Sequence, residues 1–157
     1  MASRPETREW FESFAASADP KLRVALVAAL GQQQGLEATA EALAYGWEHR
    51  DRLESMENPV GYLYKVGRSR VRVRPPRSEP KFVPVPPNLL PEVEPGLPAA
   101  LESLSERQRT AVVLVHAYGW TRVEAAETLG LSVSTLDSHL QRGLTKLRRI
   151  LGVSPDA

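Results

Sequence analysis

Proline divides this chain more sharply than any other residue type. Nine of its 13 prolines fall between Pro75 and Pro98, in the segment PPRSEPKFVPVPPNLLPEVEPGLP. Proline fixes φ and donates no backbone hydrogen bond, so a helix cannot run through this segment. The pattern predicts an extended, semi-rigid linker over residues 75–97. It leaves an N-terminal domain of residues 1–74 and a C-terminal domain of residues 98–157, both near the smallest size at which an independent core forms.

Helix signals follow one another in the N-terminal domain. Asp19 before Pro20 is expected to cap a helix that ends at Gly31. A second helix is expected to start near Gly35, because apolar residues recur there at helical spacing. These residues, which share one face, are Leu36, Ala40, Leu43, Ala44 and Trp47.

A third helix is expected to start at Asn58 and Pro59, with Leu63 and Val66 facing inward and the basic side chains facing outward. The alternation RVRVR at residues 70–74 is strand-like, but we interpret it as the end of this helix. The fold class is therefore predicted to be all-α, with two small helical domains joined by the proline-rich linker.

The C-terminal domain carries more specific helix signals. Capping boxes are expected at Ser105 with Gln108 and at Thr121 with Glu124. Two glycines, Gly119 and Gly130, stand where helices should end, and Ser132 is expected to cap a last helix. That helix should bury one continuous apolar stripe, formed by Val133, Leu136, Leu140, Leu144 and Leu147.

The spacing within this domain indicates a helix-turn-helix. Ala126 lies four residues before Gly130, where two helices cross closely, and Leu136 lies six residues after it, where the chain returns to the core. The second helix would then expose short polar groups suited to base edges and phosphates, namely Ser134, Thr135, Asp137, Ser138, Gln141 and Arg142. A plain helical hairpin is the alternative, and the carboxylate of Asp137, which phosphates would repel, favours it.

Charge is unevenly distributed, although the net charge is only +1. Two runs contain basic residues and no acid: Lys65, Arg68, Arg70, Arg72, Arg74 and Arg77 in the first, and Arg142, Lys146, Arg148 and Arg149 in the second. Such runs indicate contact with a polyanion at two places, or else two solvated helix ends.

Several classes of function are not indicated. The chain has no Cys, and no apolar run reaches the roughly 18 residues of a membrane span. We expect a cytoplasmic, nucleoid-associated protein without a cofactor. His49, His116 and His139 lack partners at metal-ligand spacing, and no phosphate loop or catalytic triad is recognisable. The three tryptophans, Trp10, Trp47 and Trp120, are expected to anchor the core.

Both halves of the chain resemble a known family. The segment from Ala100 to Leu151, with LESLSERQR, the helix-turn-helix and SHLQRGLTKLR in order, is similar to the promoter-binding C-terminal domain of bacterial RNA polymerase sigma factors. FESFAASADPKLRVALVAALG, GLEATAEALAYGWEH and NPVGYLYKVGRSRVRV are similar to the sigma domain that binds polymerase and opens the −10 element. Two domains without a third between them resemble the extracytoplasmic-function group, in a diverged form.

The resemblance implies roles for particular residues. The helix of residues 36–50 would contact the β′ coiled coil of core RNA polymerase, with Glu37, Glu41 and Trp47 at the interface. The melted −10 strand would be contacted by Tyr62, Lys65, Arg68, Ser69, Arg70 and Arg72. The −35 major groove would be contacted by Ser134, Thr135, Ser138, His139, Gln141, Arg142 and Lys146. An anti-sigma factor is a further possible partner, and the polymerase would perform all the chemistry.

The chain departs from the family pattern at four positions. The family usually has an Asp and, three residues later, a Gln where this chain has Glu37 and Ala40. It usually has basic residues where this chain has Asp137 and His139, so DNA binding is expected to be weak, or else more sequence-selective and pH-sensitive. Two other readings stay open: a stand-alone helix-turn-helix regulator with an N-terminal dimerisation or sensor module, and a protein-binding adaptor without DNA affinity.

Overall fold

A computed structural model of the chain describes residues 5–72 and 96–152. These residues form helices without strands, which confirms the all-α prediction. The predicted linker falls almost wholly on residues 73–95, outside the described part. In chain order the helices are α1 (Pro5–Leu30), α2 (Gln32–Glu48), α3 (Arg50–Glu54), α4 (Pro59–Arg72), α5 (Leu97–Glu102), α6 (Glu106–Val112), which continues as a π-helical turn (Val113–Ala117), α7 (Arg122–Leu129) and α8 (Val133–Leu151).

Helix α1 runs straight through the proline that was expected to begin it. Pro20 lies inside a 26-residue helix, so the predicted N-cap at Asp19 is wrong. An interior proline costs about 3 kcal/mol, but buried side chains on both sides of it, including Phe11 and Leu22, hold the helix together. The Asp19 carboxylate instead pairs with Arg23 one turn later, at 2.8 Å. The expected end at Gly31 is confirmed, since its φ is +92°.

Helix α2 begins at Gln32, three residues earlier than predicted, and it buries its small residues. Gly35, Ala38, Ala42 and Gly46 face the core, because α1 and α4 pack closely against this side. Most of the predicted apolar stripe, namely Leu36, Ala40, Ala44 and Trp47, therefore faces outward, whereas Leu43 is half-buried against the core. Trp47 is 39% exposed, so its predicted role as a core anchor is wrong.

Helix α4 confirms the third predicted helix. Asn58 caps it, because its side-chain oxygen accepts a hydrogen bond from the backbone N–H of Gly61 at 3.1 Å. Leu63 is fully buried and Val66 is half-buried, as expected for the inward face. The helix continues to Arg72, which agrees with reading the start of the RVRVR alternation as a helix end.

The predicted caps of the C-terminal half are confirmed. Both capping boxes form, and Ser132 accepts a hydrogen bond from the backbone N–H of Thr135 at 3.1 Å. The apolar stripe of α8 begins one turn later than predicted, because Val133 is 44% exposed while Leu136 and Leu140 are fully buried.

The two halves share one core. Buried residues of α1, α2 and α4 are continuous with those of α5 to α8. The deepest link is Arg109 of α6, which is 8% exposed and donates hydrogen bonds to the carbonyls of Ala28 and Ala29 at 3.2 and 2.7 Å. None of the described helices is both long enough and apolar enough to span a membrane.

Candidate nucleic-acid and polymerase interface

Helices α7 and α8 form the helix-turn-helix that the spacing predicts. Gly130 ends α7 in the left-handed region, with φ +67° and ψ +34°. The backbone N–H of Leu131 donates to the carbonyl of Ala126 at 2.9 Å, which closes the turn. Ala126 and Leu136 are both buried beneath the crossing. A side chain larger than the methyl group of Ala126 is not expected to fit at this position, because α7 and α8 pack closely there.

The first half of α8 presents a polar surface to solvent. Ser134, Thr135, Ser138, Gln141 and Arg142 are exposed, as predicted for a recognition helix, and His139 is half-buried. The two features that could hold a phosphate at its start are the backbone N–H groups of the first turn and the nearby hydroxyls. Two of these hydroxyls already bond to each other, because the Ser132 hydroxyl lies 2.8 Å from that of Thr135.

The carboxylate of Asp137, on the exposed face of α8, has a cationic partner. Its carboxylate lies 3.0 Å from Nε of Arg122, at the start of α7. Both side chains are about half exposed, so the pair adds little stability. The pair matters for electrostatics. The negative charge of Asp137, which argues against DNA contact, is offset by the positive charge of Arg122 on the neighbouring helix.

His139 has a lowered pKa. Burial of the ring is the main cause, and the positive charges of Arg107 and Arg142 add to it. The imidazole is therefore neutral at pH 7, so it contributes hydrogen-bonding atoms rather than a charge to this surface.

Lys146 is engaged within the C-terminal half. Its ammonium donates to the carbonyl of Ser103 at 2.7 Å, which ties α8 to the end of α5. Lys146 therefore contributes to packing between helices. Arg142, one turn earlier on α8, has an exposed side chain.

Helix α4 presents two different faces outside the core. Asn58, Gly61, Lys65 and Arg68 recur at three- and four-residue steps and face the C-terminal half of the chain. Tyr62 and Arg70 face α2 instead. Ser69 is exposed, and the side chain of Arg72 lies outside the described part of the chain. The predicted −10 residues are thus divided between two surfaces.

An aromatic and cationic cluster forms where α4 meets α2, and sequence reasoning found only part of it. The Tyr62 hydroxyl lies 3.2 Å from that of Tyr45, whose ring stacks on His49 with a centroid distance of 4.0 Å. The guanidinium groups of Arg70 and Arg52 lie over Tyr45 and Tyr62 at 5.1 and 5.7 Å. Tyr45 and Arg52 were missed because no linear motif joins α2, α3 and α4.

The outward face of α2 is an exposed apolar stripe. Leu36 is 42% exposed and Trp47 is 39% exposed, and the eleven-residue step between them returns to the same side of a helix. The guanidinium of Arg50 stacks 4.0 Å from the Trp47 ring. Glu37 and Glu41, the predicted polar contacts, are half-buried at the border of this stripe.

Comparison with known proteins agrees with this geometry. Residues 96–147 match the family "Sigma-70, region 4". Two solved structures share the fold of nearly the whole chain. The sigma factor RpoE from Bartonella quintana, solved with the anti-sigma factor NepR, is 22% identical, with a TM-score of 0.63 over 92% of this chain and 98% of that one. CnrH, solved with the cytosolic domain of CnrY, is 18% identical, with a TM-score of 0.55 over 94% and 90%. Among curated proteins, no sequence matches significantly.

The C-terminal part of the chain is therefore similar to a sigma-70 region 4 domain. The chain as a whole shares its fold with the sigma factor RpoE and with CnrH, in agreement with the resemblance that the sequence indicated.

Proposed function

We propose that this protein is a sigma factor that binds core RNA polymerase and directs it to promoters through their −10 and −35 elements. The observation that carries the proposal is the solvent-exposed polar surface of α8, which lies in a helix-turn-helix of the sigma-70 region 4 family. Ser134, Thr135, Ser138 and Gln141 would contact base edges of the −35 element, and Arg142 would contact phosphate.

The aromatic and cationic cluster supports a role at the −10 element. Unpaired bases stack on aromatic rings, and arginines contribute cation–π contacts and bind the backbone. Tyr45 and Tyr62 supply the rings, while Arg52 and Arg70 supply the charge. The cluster would therefore hold bases of the melted strand next to the basic residues of α4.

The apolar stripe of α2 supports contact with polymerase. A contiguous exposed apolar surface is typical of a protein-binding site. The β′ coiled coil is the proposed occupant, with Leu36 and Trp47 as apolar contacts and Glu37 and Glu41 as polar ones. We further propose that an anti-sigma factor regulates the chain, since the sigma factor RpoE, which shares this fold, was solved with the anti-sigma factor NepR.

The deciding experiment is a pull-down with core RNA polymerase, followed by run-off transcription from a library of promoter fragments. We expect Leu36→Ser to weaken capture of the polymerase by about tenfold. Ile150→Ser is the matched control, because Ile150 is as exposed but lies on α8. If the wild-type chain does not bind core polymerase, the sigma-factor proposal fails. A symmetric footprint on duplex DNA in the absence of polymerase would instead identify a stand-alone regulator.

A further inference from the structure

One cation at the edge of the recognition surface comes from α7 rather than from α8. Arg122 is the first residue of α7, and its Nε lies 3.0 Å from the carboxylate of Asp137, in the second turn of α8. Asp137 follows Ser134 by three residues and precedes Gln141 by four, so these side chains share one side of α8. Ser134 and Gln141 are exposed. The Arg122 guanidinium therefore lies beside the surface that is proposed to contact the −35 element.

Arg122 keeps most of its capacity to bind an anion. A guanidinium has five N–H donors, and the contact with Asp137 is made at Nε. The side chain of Arg122 is 53% exposed, although it is paired. Because the donors form a planar fork, one edge of the group can pair with a carboxylate while another binds a phosphate.

The position of the pair favours phosphate as that second anion. In a helix-turn-helix the first helix crosses the DNA backbone while the second enters the major groove. A side chain that reaches from the start of α7 to the side of α8 is therefore near phosphates when α8 is in the groove. Asp137 alone would repel a phosphate there, but a cation placed between the two anions reverses the interaction.

We propose that Arg122 is a phosphate-binding residue of the −35 interface, and that its guanidinium bridges a DNA phosphate and the carboxylate of Asp137. This inference rests on the proposed contact of α8 with duplex DNA. It adds a residue of α7 to an interface whose sequence-predicted residues all lie on α8. Asp137 draws the guanidinium toward α8 and also competes with phosphate for it, so the carboxylate limits how tightly this contact holds.

Arg122→Gln tests the contact by removing the charge. Binding of the full chain is measured by fluorescence anisotropy, at a series of salt concentrations, with a random-sequence duplex of about 20 base pairs, roughly two helical turns. Phosphate contacts carry no sequence information, so the probe needs no promoter. We expect about tenfold weaker binding at low salt, and a slope of log affinity against log salt that is smaller by about 1. Arg122→Lys should keep the slope, because an ammonium also binds phosphate.

Arg23→Gln is the matched control, because Arg23 forms a similar ion pair on α1. Its Nη2 lies 2.8 Å from Oδ2 of Asp19, and the two side chains are 48% and 40% exposed, compared with 53% and 45% for Arg122 and Asp137. This variant loses the same charge from another part of the chain, so it should leave the slope unchanged. Far-ultraviolet circular dichroism checks that each variant keeps its helices.

A double variant separates phosphate binding from simple neutralisation of Asp137. If Arg122 only neutralises that carboxylate, Arg122→Gln will not change the slope once Asp137→Asn has removed the negative charge. If Arg122 binds phosphate, Arg122→Gln will lower the slope by about 1 in both backgrounds.

Two negative results have different meanings. If the wild-type chain binds the duplex and Arg122→Gln leaves the slope unchanged in the Asp137→Asn background, the inference is wrong while the proposed contact of α8 with DNA stands. If the wild-type chain does not bind the duplex even at low salt, the proposed contact of α8 with DNA fails, and the inference fails with it.

Discussion

Replacing Arg109 with methionine tests how much one buried side chain stabilises the whole chain. Arg109 lies in α6, yet its guanidinium donates to two carbonyls in the last turn of α1, which a helix cannot satisfy by itself. Its positive charge also lies at the negative end of the α1 dipole. Methionine fills a similar volume but donates no hydrogen bond, so the substitution removes the polar contacts and leaves the apolar packing largely intact.

The magnitude follows from these contacts. Two hydrogen bonds from a charged donor contribute about 1.5 to 3 kcal/mol each. Part of this gain is offset by the cost of burying the guanidinium, which also lowers the pKa of Arg109. We expect Arg109→Met to lower the free energy of unfolding by about 3 kcal/mol, a large share of the 5 to 15 kcal/mol typical of proteins. At a urea m-value of about 1.5 kcal/mol/M, the midpoint would fall by about 2 M.

Urea titrations of three variants decide the matter. Arg107→Met is the matched control, because Arg107 lies on the same helix with an exposed side chain, and it should change stability by less than about 0.5 kcal/mol. Arg109→Lys should recover only part of the loss, since an ammonium cannot reach both carbonyls as a planar guanidinium does. If Arg109→Met unfolds at the same urea concentration as Arg107→Met, the two hydrogen bonds do not stabilise the chain and the reasoning is wrong.

Four further predictions concern single residues. Arg142→Ala should weaken duplex binding and reduce the slope of log affinity against log salt by about 1, as measured by anisotropy; an unchanged slope would show that Arg142 does not contact phosphate. Asp137→Asn should tighten duplex binding several-fold at low salt, because one negative charge leaves the recognition surface, and equal affinity would argue against DNA contact there. His139 has a lowered pKa, so the unfolded chain takes up a proton first and stability should fall as the pH drops below about 6.5; His139→Gln should remove this part of the pH dependence in urea titrations. Gly35→Ala should destabilise the chain by about 1 to 3 kcal/mol, because a β-carbon there would lie 2.6 Å from the backbone nitrogen of Val27, and a more stable variant would refute the packing argument.

Local chemistry made the C-terminal half predictable. Caps and turns depend on residues a few positions apart, so Ser105, Thr121 and Gly130 identify their own backbone geometry. The same logic failed at Asp19 and Pro20, where buried side chains on both sides of the proline outweigh its local preference. It failed again for α2, because the helix buries glycine and alanine and leaves Leu36 and Trp47 outside, the reverse of what hydrophobicity suggests.

Contacts between distant segments were not predictable from one sequence. Arg109 belongs to a run of charged and polar residues that reads as a solvated surface, and nothing near it in sequence indicates its partners in α1. The pairing of Asp137 with Arg122 likewise depends on how two helices cross. The sequence therefore indicated which charged residues are candidates for DNA contact, but it could not predict which of those charges already have partners.

The ion pair between α4 and α6 has a consequence for how this sequence can evolve. Arg68 pairs with Glu106 and is also one of the proposed −10 contacts, so a substitution there changes both the contact between the halves and the proposed DNA contact. Glu106 lies on the other side of this pair, so a substitution there can change the contact between the halves without altering a residue proposed to contact the −10 strand. The contact between the halves can thus vary among descendants of this sequence while the residues proposed to contact DNA stay the same, because the two sets of side chains lie on opposite sides of one ion pair.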